Sequence, residues 1–413
     1  MNNRMHKEKH KRNVVIFLLL IVVMLLINGC WSRKELNQIS LVSAIGIDYV
    51  DDEYEVTFQV INPEEVAGTP AIGPSTGETP VAIYQMRAPS LLEAIRKTST
   101  KVPRRIYMSD LQLVVFGEEL AEKGIFSIVD GLTREEKLRP NFYIFTAKDF
   151  TAAKILQLLP PLEKIPAQFI KGTMETTEEV WGSIQGVTVF MMAKQLGTAG
   201  MDLALPGITL KGDIEEGDKI ANLQKSRSPA YMNLEGLAVY QADRLVGWLD
   251  DQESRGYSFV NQYSPLKSTV ISMDCGDDDI INVSIYNNKA EIELNVDGPS
   301  PLVTYSIKTQ GKVAEFTCPE MNLDRLSTIK ELELKTAHEI KSMIEATIAR
   351  SKQLNSDIFG IGSQFRKKEP KFWKTYEDQA DNLLNDVEFE VNVDVNIRHT
   401  GAFSNPALQE WMK

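Results

Sequence analysis

The stretch from Val387 to Ile397 constrains the fold more than any other part of the chain. Val387, Phe389, Val391, Val393, Val395 and Ile397 alternate with Glu388, Glu390, Asn392, Asp394 and Asn396. A period of two puts every apolar side chain on one face of a strand and every polar one on the other. Such a strand needs a sheet to pair in and a cover for its apolar face. The cover is predicted just upstream, over 324–354. Leu326, Ile329, Leu332, Thr336, Ile340, Ile344 and Thr347 recur there at steps of three and four, one stripe of a long helix. Further strands are predicted over 268–274, 280–286, 290–296 and 312–316, with Asn287-Asn288 as a hairpin turn between two of them. The long helix is expected to pack over the sheet they form.

The first half alternates strands with helices. A hairpin is expected from 39–47 and 54–60, turning at Asp51-Asp52. The Pro- and Gly-rich run 63–80 reads as a loop. Helices are predicted over 91–100, 118–123, 126–138, 148–159 and 176–197, and strands over 111–116 and 142–145. Strands over 237–240 and 244–249 precede a helix over 250–259. A chain of 413 residues exceeds one ordinary core. The fold class is therefore α+β: two or three mixed domains with antiparallel-rich sheets and packed helices. The expected division is 1–29 as a signal peptide, 30–205 as an N-terminal α/β region, 206–235 as a linker or excursion and 236–413 as a C-terminal α+β region.

The N-terminus reads as an export signal. Arg4, Lys7, Lys9, Lys11 and Arg12 precede an unbroken apolar run from Val14 to Ile27. As a helix this run spans about 21 Å, short of a bilayer core of about 30 Å. Ile27-Asn28-Gly29-Cys30 then resembles the lipobox of bacterial lipoproteins, with Asn28 in place of the usual Ser, Ala or Thr. The thiol of Cys30 is the nucleophile that takes up a diacylglyceryl group carrying chains such as palmitate. Two chains anchor stably where one binds only marginally. Cys30 is thus the expected lipidation site, with the rest of the chain on the outer face of the membrane.

The whole chain carries a net charge of −12. Residues 1–30 contribute five basic residues and one acidic, so the remainder carries −16. A surface of that sign argues against nucleic acid as a partner. Cys275 and Cys318 remain after Cys30, and one disulfide or two buried thiols both fit an exported chain.

No catalytic, cofactor or metal site is expected. His338 and His399 lack partner ligands at metal spacing. Asp274 and Asp277 to Asp279 lack the glycine and closing glutamate of a calcium loop. Gly73-Pro74-Ser75-Thr76-Gly77 matches a nucleophile pattern but sits in a loop, not at a strand-to-helix turn. Trp248 and Tyr257 read as core aromatics or as the lining of a pocket.

Several stretches together carry a resemblance. They are Gly29-Cys30-Trp31, Ala44-Ile45-Gly46-Ile47-Asp48, Gly117-Glu118-Glu119-Leu120-Ala121 and Arg139-Pro140. Gly236-Leu237-Ala238-Val239-Tyr240, Leu245-Val246-Gly247-Trp248-Leu249 and Arg255-Gly256 follow, then Asp357-Ile358-Phe359-Gly360 and Ile397-Arg398-His399-Thr400-Gly401. In this order they resemble the C-subunit lipoproteins of spore nutrient-germination receptors, the Ger(x)C family. Asp110 stands where that pattern often has a histidine. The resemblance implies a non-enzymatic subunit that works with two membrane-protein subunits in the spore inner membrane. It implies α/β domains with central antiparallel sheets, and it carries one functional residue over, the lipidated Cys30. Two other readings compete: a solute-binding lipoprotein of a transporter, and a tethered hydrolase. Expected partner contacts are the 63–80 loop and the exposed face of the 326–347 helix.

Overall fold

The computed structural model describes residues 10–11, 13–19, 38–67, 79–276, 279–318, 321–377 and 380–399. Cys30 and Ser75, and the loop expected over 63–80 from residue 68 to 78, lie outside them.

The first sheet is laid out by runs of apolar residues. Its strands are β1 (Ile39–Val50), β2 (Glu53–Ile61), β3 (Val81–Ala88), β4 (Arg105–Tyr107), β5 (Leu113–Phe116), β6 (Tyr143–Ala147), β7 (Ala204–Gly212), β8 (Ala230–Gln241) and β9 (Arg244–Leu249). They are ordered β3-β2-β1-β5-β6-β7-β8-β9, with β4 beside the start of β1. Asp51 and Asp52 take positive φ, 50° and 63°, and close the β1–β2 hairpin where expected. The centre of the sheet is parallel, from β1 through β5 and β6 to β7, and its flanks are antiparallel. That is less antiparallel than the sequence suggests, because helices return the chain between the central strands.

Leu113-Val114-Val115-Phe116 shows why helices cover both faces. Val114 and Phe116 pack on one side with Phe58, Leu120 and Ile128. Leu113 and Val115 pack on the other with Ile155, Leu156 and Ile170. A strand buried on both faces has no reason to alternate with polar residues.

Three expectations need correction here. The predicted helix over 176–197 is two helices, Pro166–Val180 and Val189–Leu196. Gly182, at φ +73°, turns the chain after the first, and the Thr188 side chain caps the second. The boundary expected near residue 205 cuts into a sheet that runs on to Leu249. Within 206–235, most of β7 pairs with the start of β8, and the excursion is only 213–229. Pro206 hides β7 in the sequence; it is tolerated because the ladder shifts register between Pro206 and Ile208.

The second sheet has the order β10 (Ser268–Gly276), β11 (Asp279–Asn295), β12 (Leu302–Phe316) and β13 (Glu388–His399). Asn287-Asn288 is not a hairpin turn. β11 continues through it as a bulge opposite Thr309, with Asn287 at φ +54°. Asn288 Nδ2 also donates to the Phe259 carbonyl at 2.8 Å. The long helix runs Leu326–Gln353 and buries Leu332, Thr336, Ile340, Ile344 and Thr347, the expected stripe. Leu326, at its first turn, is 70% exposed instead. The helix carries the chain from β12 to a parallel β13, covering one face of the sheet. Cys275 and Cys318 are joined by a disulfide, with Cα atoms 6.1 Å apart.

Candidate functional site

Two acids organise the molecule, one buried and one half-buried, and both fall in stretches that carried the resemblance. The first is Asp48, near the end of β1 and 3% exposed. Its carboxylate accepts hydrogen bonds from the Ala152 and Ala153 backbone N–H groups, at 2.8 and 3.0 Å. It thereby satisfies the open donors at the start of the helix Ala152–Gln157. Gly117 is bare because any side chain there would collide with Asp48 Oδ1. Burial pushes the Asp48 carboxyl up to about 6, partly offset by the two backbone donors.

The second is Asp357, at the junction between the two sheets. Its carboxylate accepts from the Ile361 and Gly362 N–H groups at 2.9 and 2.8 Å, at the start of the helix Ile361–Lys368. Gly360, at φ +68°, provides the left-handed turn that brings those donors round. The backbone of Asp357 reaches across to the first domain. Its N–H donates to Asp202 Oδ2 at 2.7 Å, and its carbonyl accepts from the Asp202 N–H at 2.9 Å. Asp202 Oδ1 accepts from the Ala242 N–H at 2.7 Å. Ser356 Oγ donates to the Tyr240 carbonyl at 2.6 Å, and the Ser363 N–H to the Gly200 carbonyl at 2.7 Å. Burial, with Asp202 beside it, pushes the Asp357 carboxyl up to about 7 against the pull of its backbone donors.

Close packing tightens the same junction. A Cβ on Gly200 would stand 2.7 Å from both the Gly362 backbone and the Trp373 ring. Phe359 lies 6.1 Å from the ring of Tyr257 and 6.2 Å from that of Tyr305, one on each side of the junction. Gly256, in the helix Asp251–Val260, lies against the Met343 backbone and Thr347 of the long helix, leaving no room for a side chain. Thr347 Oγ1 donates to the Glu253 carbonyl at 2.7 Å.

The chemistry open to this junction is narrow. A cleft of about 200 Å³ beside Asp202 and Asp357 is below the 300–1,000 Å³ of ordinary ligand pockets. The carboxylates are held by backbone N–H groups, an arrangement that fixes helix ends and domains rather than moving protons. Trp248 and Tyr257 do not share a pocket: Trp248 Nε1 donates to Glu118 Oε1 at 3.1 Å, while Tyr257 is buried against Phe359. His338 is exposed on the long helix, and Asp274 is exposed on β10. Among the described residues, no group of three or more His, Cys, Asp or Glu side chains is placed to hold a metal ion. Among those residues, too, no helix is long and apolar enough to cross a membrane.

The comparison with known proteins places this architecture. Residues 32–210 match the model of the spore germination protein N-terminal domain. Residues 235–401 match that of the spore germination B3/GerAC-like C-terminal domain. The chain belongs to the Ger(x)C family. Spore germination protein KC of Bacillus subtilis (strain 168) is 28% identical over 405 residues, 97% of this chain and 99% of that protein. Spore germination protein GerQC of Bacillus cereus is 24% identical over 377 residues, 90% of this chain and 95% of its own. The crystal structure of the GerBC protein shares the fold, with a TM-score of 0.50 at 16% identity. The match covers 86% of this chain and 96% of that one. The two Ger(x)C models leave 211–234 between them, whereas the first sheet continues through β8 and β9 to Leu249.

Proposed function

We propose that this protein is a lipid-anchored, non-catalytic subunit of a spore germinant receptor. In this reading residues 1–29 are a cleaved signal and Cys30 carries the diacylglyceryl group. The folded chain stands on the outer face of the spore inner membrane, beside two membrane-protein subunits. One observation carries the reading: matches to two germination-protein models begin two residues after Cys30 and account for nearly all of the chain that follows. The named relatives are themselves spore germination proteins matched over almost their whole length. The hydrogen bonds and close packing at Asp202 and Asp357 suit a rigid two-part scaffold that transmits or holds a receptor state.

The test is Cys30→Ala in a spore-forming host, followed by membrane fractionation and nutrient-triggered germination. The protein is expected to leave the membrane fraction or be lost, and germination to slow. Full membrane retention with normal germination would refute the reading.

A further inference from the structure

The chain after Cys30 is acidic, yet its first domain carries one concentrated basic stripe. Arg96, Lys97, Lys101, Arg104 and Arg105 fall within ten residues, and Glu93 is the one carboxylate between Leu91 and Ile106. All five basic side chains are exposed. Among the described residues, none of them is paired with a carboxylate. Two are fixed in place rather than free to fold onto acidic neighbours. Lys97 Nζ donates to the Arg87 carbonyl at 3.0 Å and Lys101 Nζ to the Gln85 carbonyl at 2.9 Å, both on β3. Leu92, 54% exposed, stands one helical turn before Arg96.

The position of the stripe is what gives it meaning. Arg105 opens β4 and lies opposite Ile39, the first residue of β1. Eight residues, 31–38, separate Ile39 from Cys30. Even fully extended they reach at most about 30 Å. A lipid on Cys30 therefore keeps this end of the stripe within about 30 Å of the bilayer. We infer that the stripe rests on the anionic lipid surface and sets the orientation of the first domain against it. The inference rests on the Cys30 anchor proposed above. A basic residue held near an anionic surface strengthens attachment about fivefold, an effect that salt screens. Arg366, Lys367, Lys368, Lys371 and Lys374 form a second basic stretch, in the second domain, and define the rival orientation.

The mature lipidated chain would be reconstituted into vesicles of phosphatidylcholine alone, or of equal parts phosphatidylcholine and phosphatidylglycerol. Amine acylation at Lys97 and Lys101 is then read by mass spectrometry against Lys308 of β12. Acylation of both should fall at least about fivefold with phosphatidylglycerol and recover in high salt. The R96Q/R104Q/R105Q variant should lose that protection. Equal labelling in both vesicle types would overturn the inference, as would protection of Lys367 and Lys371 alone. Protection in native spore membranes but not in phosphatidylglycerol vesicles would also overturn it, and assign the stripe to an acidic protein partner. Failure to float with phosphatidylcholine vesicles would refute the anchor instead. In that event, salt-sensitive flotation with phosphatidylglycerol vesicles that the triple variant loses would still support the stripe, and its absence would overturn it.

Discussion

The first sheet is buried on both faces, whereas the long helix covers only one face of the second. In the first, helices pack above and below Leu113 to Phe116, and each central strand is held from two sides. In the second, β13 shows Glu388, Glu390, Asn392, Asp394 and Asn396 to solvent. The second sheet is also the one that carries the disulfide, from β10 to the segment after β12. A sheet with half the apolar cover has less burial to offset its chain entropy, and a cross-link lowers that entropy in the unfolded state. The two halves should therefore fail separately and under different insults.

Substitution in the doubly covered sheet should do the most damage. Phe116→Ala removes a fully buried ring and is expected to cost about 3–5 kcal/mol, read from denaturant unfolding. A loss below about 1 kcal/mol would mean that the site collapses to fill the void. Cys318→Ser should cost about as much. A cross-link of this sequence separation, 43, is worth about 4 kcal/mol in the chain-entropy model. Hydrogen exchange should quicken in β10–β12 and stay unchanged in β5 and β6. Equal acceleration in both sheets would merge the two halves into one cooperative unit.

Gly256→Ala tests the contact between the halves. Its new methyl group meets the Met343 backbone, so overpacking of about 1–3 kcal/mol is expected. Exchange should rise first along the junction, at Asp202 and Ser363. An unchanged pattern would show that the helices part without consequence.

The last test uses pH, which probes the two acids rather than the packing. The Asp48 and Asp357 carboxyls stand at about 6 and about 7, against an ordinary value of 3.8. The native state therefore holds these protons more tightly than the unfolded chain. Their contribution is complete below about pH 4 and is lost as pH rises through 6 and 7. Urea midpoints should fall across that window, and the slope should flatten in D48N/D357N. An unaltered slope in the double variant would assign the dependence to other groups.

Much of the second sheet could be read in advance because its burial is one-sided. Alternation in β13 and the three-four stripe of the long helix both arise from one wet and one dry face. In the first sheet that signal fades: β3 is a half-buried edge strand, β7 is a buried strand without alternation, and Pro206 breaks the pattern of β7. Asp357 escaped notice as a cap because it stands four residues before Ile361, with Gly360 in the usual capping position. Asp202 escaped because its partners are distant in sequence. The Cys275–Cys318 bond was one of two open readings, since spacing alone does not bring two sulfurs together. The resemblance marked Asp48, Gly117, Gly256 and Asp357 without a reason. The structure supplies one: each is a cap or a close approach that no other residue type fits as well.

Lipid anchoring at Cys30 is decided by the N-terminal peptide of the mature protein, taken from spore membranes and weighed by mass spectrometry. It should begin at Cys30 and carry a diacylglyceryl group. A peptide that still includes residues before Cys30, or a Cys30 with a free thiol, would contradict the claim.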